Sequence, residues 1–275
     1  RLLAPFCFLP LVALAQGTES RFAEYGQLLI TSISSAPFPH PRRAAGHSYA
    51  DTLFPADRHY SDSSVAVFVP NGFRKTKAID LVIYLHGWRE NIRDALAKYQ
   101  LPQQLAESGK NTILIFPEGP RNAPDSFAGK FEDADGLKRL VAGVVDFLFR
   151  QSIINTRSVG KIILSGHSGA YHGIAFALLR GGITEKVREV YLFDALYGET
   201  EKFTYWIDRF NGKLINIYTD SGGTAWETKA MMEDLTGWGI PYLAKDEAAI
   251  SPSDLRNNRL IFIHTDLGHY MVISG

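Results

Sequence analysis

A succession of short apolar runs, separated by stretches with helical spacing, constrains this chain more than any other feature. Residues 81–85, 113–116, 162–164, 190–193, 214–218 and 260–263 are brief runs, mostly β-branched or aromatic. Runs that are apolar at nearly every position suit strands buried on both faces, the situation of central strands in a parallel sheet. Residues 65–69 alternate and read as a further strand. Between the runs, residues 91–108, 135–151, 168–179, 201–210 and 224–235 carry helical spacing. Parallel strands need crossover connections, and right-handed crossovers place helices on both faces of the sheet. The predicted class is α/β, a mostly parallel central sheet covered by helices. With 275 residues, 45% of them hydrophobic, the chain can bury one large core, and no repeat or linker divides it.

The first sixty residues read differently. Arg1, an apolar run and then Ala13-Leu14-Ala15 follow the pattern of a secretory leader cleaved after Ala15. That run is shorter than the ~20 residues a spanning helix requires, so no stable membrane anchor is expected after cleavage. The expected location is secreted or periplasmic. Cys7, the only cysteine, lies in the leader, leaving a mature chain with no disulfide and no thiolate chemistry. Residues 16–60 form an N-terminal segment expected to pack on the core, with a helix over 20–33 and extended chain over 36–58.

Composition and motif also exclude several function classes. Twenty-nine basic and 29 acidic residues cancel, which gives no electrostatic draw toward nucleic acid or an anionic membrane. No GxGxxG follows a strand, no Walker loop occurs, and the histidines lack the spacing of a helical metal pair. The expectation is no cofactor and no metal.

In a parallel sheet, functional loops stand at the carboxyl ends of the strands. Those ends read His86-Gly87-Trp88, Pro117-Glu118-Gly119, Gly166-His167-Ser168, Asp194-Ala195-Leu196, Asp220-Ser221-Gly222 and, last, Thr265 through His269. A serine, two candidate acids and a late histidine therefore share one edge. Gly166-His167-Ser168-Gly169-Ala170 links an apolar run to a helical stretch, as a sharp turn that lifts a nucleophilic serine out of the packed layers would do. Small residues two before and two after the serine let strand and helix approach. The usual pattern ends in Gly, and Ala170 adds a methyl. The same five residues also suit an ordinary small-residue turn, so context must decide.

Three pieces in order supply that context: Leu85-His86-Gly87-Trp88, the GHSGA turn, and Gly268-His269 after the last run. Together they resemble the α/β-hydrolase superfamily over roughly residues 65–269. The resemblance implies the α/β-hydrolase fold, with 61–275 as a catalytic domain. It implies Ser168 as nucleophile, His269 as its base, and an oxyanion hole from the amides of Gly169 and Trp88, with Gly87 allowing the turn. A serine hydroxyl holds its proton near neutral pH, so an imidazole must accept that proton during attack, and an acid must orient the imidazole. Asp220 stands after the strand that usually bears the acid in this superfamily and is slightly preferred; Asp194, one strand earlier, and the weaker Asp266 stay open. His264 lies in a strand, while His167 and His172 flank the nucleophile too closely to serve as its base. Residues 270–272 are expected to start a short terminal helix. Tyr171, Tyr197 and Glu118 are placed to line a substrate pocket.

The resemblance implies an exported serine hydrolase that cleaves carboxylic ester or amide bonds, in small molecules or polymers, through an acyl-enzyme. A peptidase or amidase acting on cell-wall or extracellular polymers is an alternative. So is a noncatalytic binding protein on the same scaffold. Neither substrate identity nor oligomeric state follows from the residues.

Overall fold

Burial on both faces of the central strands explains why their sequences are apolar throughout. The computed structural model describes residues 17–274; the leader read at residues 1–15, with Cys7 and the cleavage site, lies outside them. The strands are β1 (Gly26–Ser32), β2 (His47–Tyr49), β3 (Thr52–Phe54), β4 (Ser64–Pro70), β5 (Ile79–Leu85), β6 (Thr112–Pro117), β7 (Val159–His167), β8 (Val187–Phe193), β9 (Lys213–Tyr218), β10 (Leu243–Asp246) and β11 (Leu260–His264). Nine of them form one sheet in the order β1-β4-β6-β5-β7-β8-β9-β11-β10, and β2 with β3 makes a separate hairpin. From β6 to β10 all neighbours run parallel; β4 pairs antiparallel with both β1 and β6.

One face of the sheet takes Val65, Val67, Leu81, Ile83, Ile113 and Ile115 into the main core. The opposite face takes Ala66, Phe68, Tyr84, Leu114 and Phe116 into a second. The helix Gly136–Arg150 covers the first face with Leu137, Leu140, Val141, Val144, Val145 and Leu148, a stripe at three- and four-residue spacing. Each such side chain, fully buried, stabilises the fold by roughly 1.5–3 kcal/mol.

Three local expectations are corrected. In place of the helix expected over 20–33 stand a four-residue helix, Thr18–Arg21, and then β1, because Leu28 and its neighbours pair antiparallel along the open edge of β4. The single helix expected over 91–108 is two, Ile92–Tyr99 and Leu101–Glu107. Gln100 between them is left-handed (φ 50°), and Pro102 lacks the amide a continuous helix would need. After His269 the chain makes turns rather than a helix, anchored by Val272 and Ile273 in the second core. The segment 36–58 contains the β2–β3 hairpin, and Phe38 packs with Tyr60, Ala123 and Phe127 beside the carboxyl edge.

β5 lies between β6 and β7. The chain leaves β5 toward β6 and leaves β7 toward β8, in opposite directions, which opens a crevice at their carboxyl ends.

Candidate active site

β7 ends at His167, Ser168–Ala170 forms a 3-10 turn, and the helix Tyr171–Arg180 follows without a break. Ser168 has φ 54°, a left-handed backbone that a non-glycine residue adopts at a cost of about 1–3 kcal/mol. Gly166 makes the turn possible: a Cβ there would lie 2.6 Å from the Ala170 methyl. The methyl that departs from the usual pattern therefore fits because residue 166 has none. Gly87 is similarly confined, since its Cβ would meet that of Ser168 at 2.8 Å.

Ser168 Oγ is 3.0 Å from His269 Nε2, and His269 Nδ1 is 2.6 Å from Asp194 Oδ2. Asp194 is fully buried at the end of β8, next to β7. Its Oδ1 accepts from the Thr219 amide (3.1 Å) and the Thr224 hydroxyl, and its Oδ2 accepts from the Thr219 hydroxyl (2.8 Å). Burial pushes the Asp194 carboxyl upward, but the bonds from His269, Thr224 and Thr219 outweigh it and hold the group below the ordinary aspartate value. An ionised acceptor at this place keeps a proton on Nδ1 and leaves Nε2 free to accept from the serine.

The structure brings Asp194 to His269, and it does not bring Asp220 there. Asp220, one strand further on, has a side chain 75% exposed that bonds His264 Nε2 at 3.2 Å, while Asp246 takes the other nitrogen of that ring at 3.1 Å. Asp266 is exposed. The β9 loop serves Asp194 instead, by wrapping its carboxylate with Thr219, Gly222 and Thr224. Gly222 has no alternative, because a Cβ there would fall 1.6 Å from Asp194 Oδ2.

Beside the serine, the backbone amides of Trp88 and Gly169 donate to no acceptor among the described residues. The amide of Gly87 is engaged by Glu90 Oε2 at 3.1 Å, so Gly87 acts through its turn and not as a donor. The Trp88 indole lies across the Gly169 Cα and donates to Ser126 Oγ at 2.8 Å. Tyr49, from the β2–β3 hairpin, meets it edge-on with ring centroids 5.2 Å apart.

No family model and no curated protein matches the sequence. Solved structures do match in three dimensions. A mutant feruloyl esterase module from Clostridium thermocellum, in complex with sinapinate, aligns over 91% of this chain and 87% of its own, with a TM-score of 0.55 at 11% identity. A fluorophosphonate-binding serine hydrolase of Staphylococcus aureus aligns over 90% of this chain and 94% of its own (TM-score 0.52, 12% identity). An S-formylglutathione hydrolase from Agrobacterium tumefaciens aligns over 90% and 91% (TM-score 0.51, 13% identity). This is the α/β-hydrolase fold. At such identities the likeness concerns the fold, and activity has to be argued from the site.

Within the α/β-hydrolase fold the cleft walls of this chain are aromatic. The Tyr197 ring stands 6.3 Å from that of His269 and 5.9 Å from that of Tyr171. Its hydroxyl donates to the Gly222 carbonyl, and burial, with the nearby Asp194 charge, pushes it up to about 12. Glu118 is not on this wall. It is 3% exposed and engaged by His86 Nε2 (3.1 Å) and the Ile92 amide (3.2 Å), where it caps a helix N-terminus beneath the cleft. Among the described residues, no group of three or more His, Cys, Asp or Glu is placed to hold a metal ion.

Sequence reasoning missed Thr219, Thr224, Ser126, Glu90 and Tyr99, all of which touch residues of the site. No motif marks them. Their roles come from loops that meet only after the sheet has formed.

Proposed function

We propose that this chain is a serine hydrolase cleaving carboxylic esters through an acyl-enzyme. The observation that carries the reading is the hydrogen-bonded series Ser168, His269, Asp194 beside the free amides of Trp88 and Gly169. Ser168 Oγ attacks the ester carbonyl as His269 Nε2 takes its proton, and Asp194 stabilises the imidazolium that forms. The carbonyl oxygen, now an anion, accepts from the Trp88 and Gly169 amides, each donor lowering the barrier by about 3 kcal/mol. The imidazolium then protonates the departing alcohol, and water, activated by the same histidine, releases the acid.

Ester rather than amide substrates are favoured by what the aligned proteins are named for, esterases and a thioester-type hydrolase among them. The aromatic walls from Trp88, Tyr171 and Tyr197 suit an apolar or planar group in the ester. Export after cleavage at Ala15 belongs to the same reading, and a mature chain beginning at Gln16 is its direct check. Among the described residues no helix is long and apolar enough to cross a membrane.

A panel of aryl and alkyl esters, amides and peptides, assayed with wild type and Ser168→Ala, tests the proposal. Ester turnover that disappears in the variant, with fluorophosphonate labelling at Ser168, is expected. Faster turnover of amides or peptides would move the chain to the peptidase class. A folded protein that neither turns over nor labels would make it a binding scaffold.

A further inference from the structure

His167 precedes the nucleophile and is completely buried. Its Nε2 lies 2.8 Å from the backbone carbonyl of His269. A carbonyl only accepts, so Nε2 carries a proton and donates. The donor meets a local need. Residues after His269 form turns, with Met271 N bonded to Gly268 O and Ser274 N to Met271 O, and no backbone amide among the described residues reaches the His269 carbonyl. The two imidazole rings lie 4.5 Å apart, tilted by 36°.

The other nitrogen of His167 has no hydrogen-bond partner and is enclosed. It faces Glu90 Oε1 at 3.9 Å and packs against Gly87, whose Cβ would come within 3.4 Å of it. Glu90, also buried, accepts from the Gly87 amide through Oε2 and from the Tyr99 hydroxyl through Oε1. Lys98 Nζ stands 3.8 Å away at the solvent side. A continuous line therefore runs from the loop bearing Trp88, through Glu90 and His167, to the loop bearing His269. Neither Glu90 nor His167 hydrogen-bonds the Ser168 hydroxyl.

We infer that His167 and Glu90 are a buried positioning pair that holds the base loop and the oxyanion loop in one register. Glu90 fixes Gly87, and through it the Trp88 amide, while His167 fixes His269 by its main chain. The inference rests on the serine-hydrolase reading for its kinetic consequences. Its structural content, that His269 is oriented from behind by His167, stands apart from turnover.

The test uses the whole protein and the variants His167→Phe, His167→Gln, Glu90→Met and the double variant His167→Phe/Glu90→Met; Met keeps the length of Glu90 but offers no oxygen to the Gly87 amide. Phe keeps a ring but supplies no donor; Gln restores a side-chain N–H of similar reach. With an aryl acetate, His167→Phe and Glu90→Met should each lower kcat by about tenfold to a hundredfold. KM should stay within about threefold. His167→Gln should recover most of the loss, and the double variant should lose little more than the worse single change, because the pair acts as a unit. A second readout needs no turnover: the downfield proton resonance of the His269–Asp194 hydrogen bond should broaden or shift in His167→Phe and Glu90→Met, and persist in His167→Gln and Ser168→Ala.

Folded His167→Phe or Glu90→Met with wild-type kcat and an unchanged resonance would overturn the pairing. So would additive losses in the double variant. If His167→Phe does not fold, Glu90→Met and His167→Gln decide alone: a resonance that stays unchanged in a folded Glu90→Met overturns the inference. If wild type hydrolyses no ester yet the resonance responds as described, the serine-hydrolase reading fails while the positioning role holds.

Discussion

Replacing Asp194 by Asn should disable the site by reversing one hydrogen bond, and the structure says which way the amide will sit. Oδ1 of Asp194 accepts from the backbone amide of Thr219 at 3.1 Å. A backbone N–H cannot become an acceptor, so the Asn carbonyl must take that place. The Asn NH2 is then left at the Oδ2 position, 2.6 Å from His269 Nδ1 in the wild type. Two donors cannot face each other, so Nδ1 gives up its proton and Nε2 carries it. His269 then points an N–H at Ser168 and cannot accept the serine proton. A wrong tautomer in a Ser-His-Asp arrangement costs roughly 10,000-fold in kcat, about 5 kcal/mol of transition-state stabilisation. Asp220→Asn is the matched control: its exposed contact with His264 is a surface pair of about 0–1 kcal/mol, and kcat should stay within about twofold. Steady-state kinetics on an ester, with concentrations of folded protein fixed by circular dichroism, measure both. If Asp220→Asn loses activity on the scale assigned to Asp194→Asn, or Asp194→Asn keeps it, the reasoning is wrong.

Three further outcomes are expected. Ser168→Gly should be more stable than Ser168→Ala, because φ 54° suits glycine; a gain of about 1 kcal/mol corresponds to a rise in Tm of about 2–4 °C, and a lower Tm would contradict the strain assigned to the turn. Gly222→Ala should lower kcat more than about tenfold, since its methyl would displace the Asp194 carboxylate, and wild-type kinetics in that variant would refute the packing described for the β9 loop. Stability should also fall in acid. Burial raises the Glu90 carboxyl, but the facing His167 imidazole and the Tyr99 hydroxyl outweigh it and hold it at about 2. A depressed carboxyl contributes stability that is fully present above its unfolded value and lost as pH falls from about 4.5 toward 2, by up to about 3 kcal/mol here. Urea unfolding across that window should show a shallower decline in Glu90→Gln than in wild type, and parallel curves would exclude Glu90 as the source.

Much of the architecture was legible because it depends on local periodicity. The runs at 81–85, 113–116, 162–164, 190–193, 214–218 and 260–263 all became strands of one sheet. Their continuous apolarity reflects burial on two faces, a property each strand displays without reference to its partners. The turn around Ser168 was readable for the same reason, since the small residues Gly166 and Ala170, which meet across the turn, answer a local steric demand. β1 was misread as helix and β10 passed unnoticed: both lie at sheet edges, where pairing with a single neighbour, rather than two-sided burial, makes the strand.

The remaining choices were tertiary. Asp194 and Asp220 both end parallel strands, and their sequences rank them wrongly or not at all. Strand order decides between them: β8 lies against β7, so its end stands beside Ser168, whereas Asp220 turns toward His264 and leaves Thr219 and Gly222 to clasp its rival. Glu118 looked available at a strand end, yet the loop after β5 closes over it. His167, too close in sequence to act as a base, reaches His269 from behind because the last loop folds back across β7. The chain alone determined which residue types arrive at the carboxyl edge, because a strand's burial and a turn's sterics are local. Which of those residues meet was settled by the packing of loops distant in sequence, because hydrogen bonds depend on ångström-scale distances that no spacing along the chain encodes.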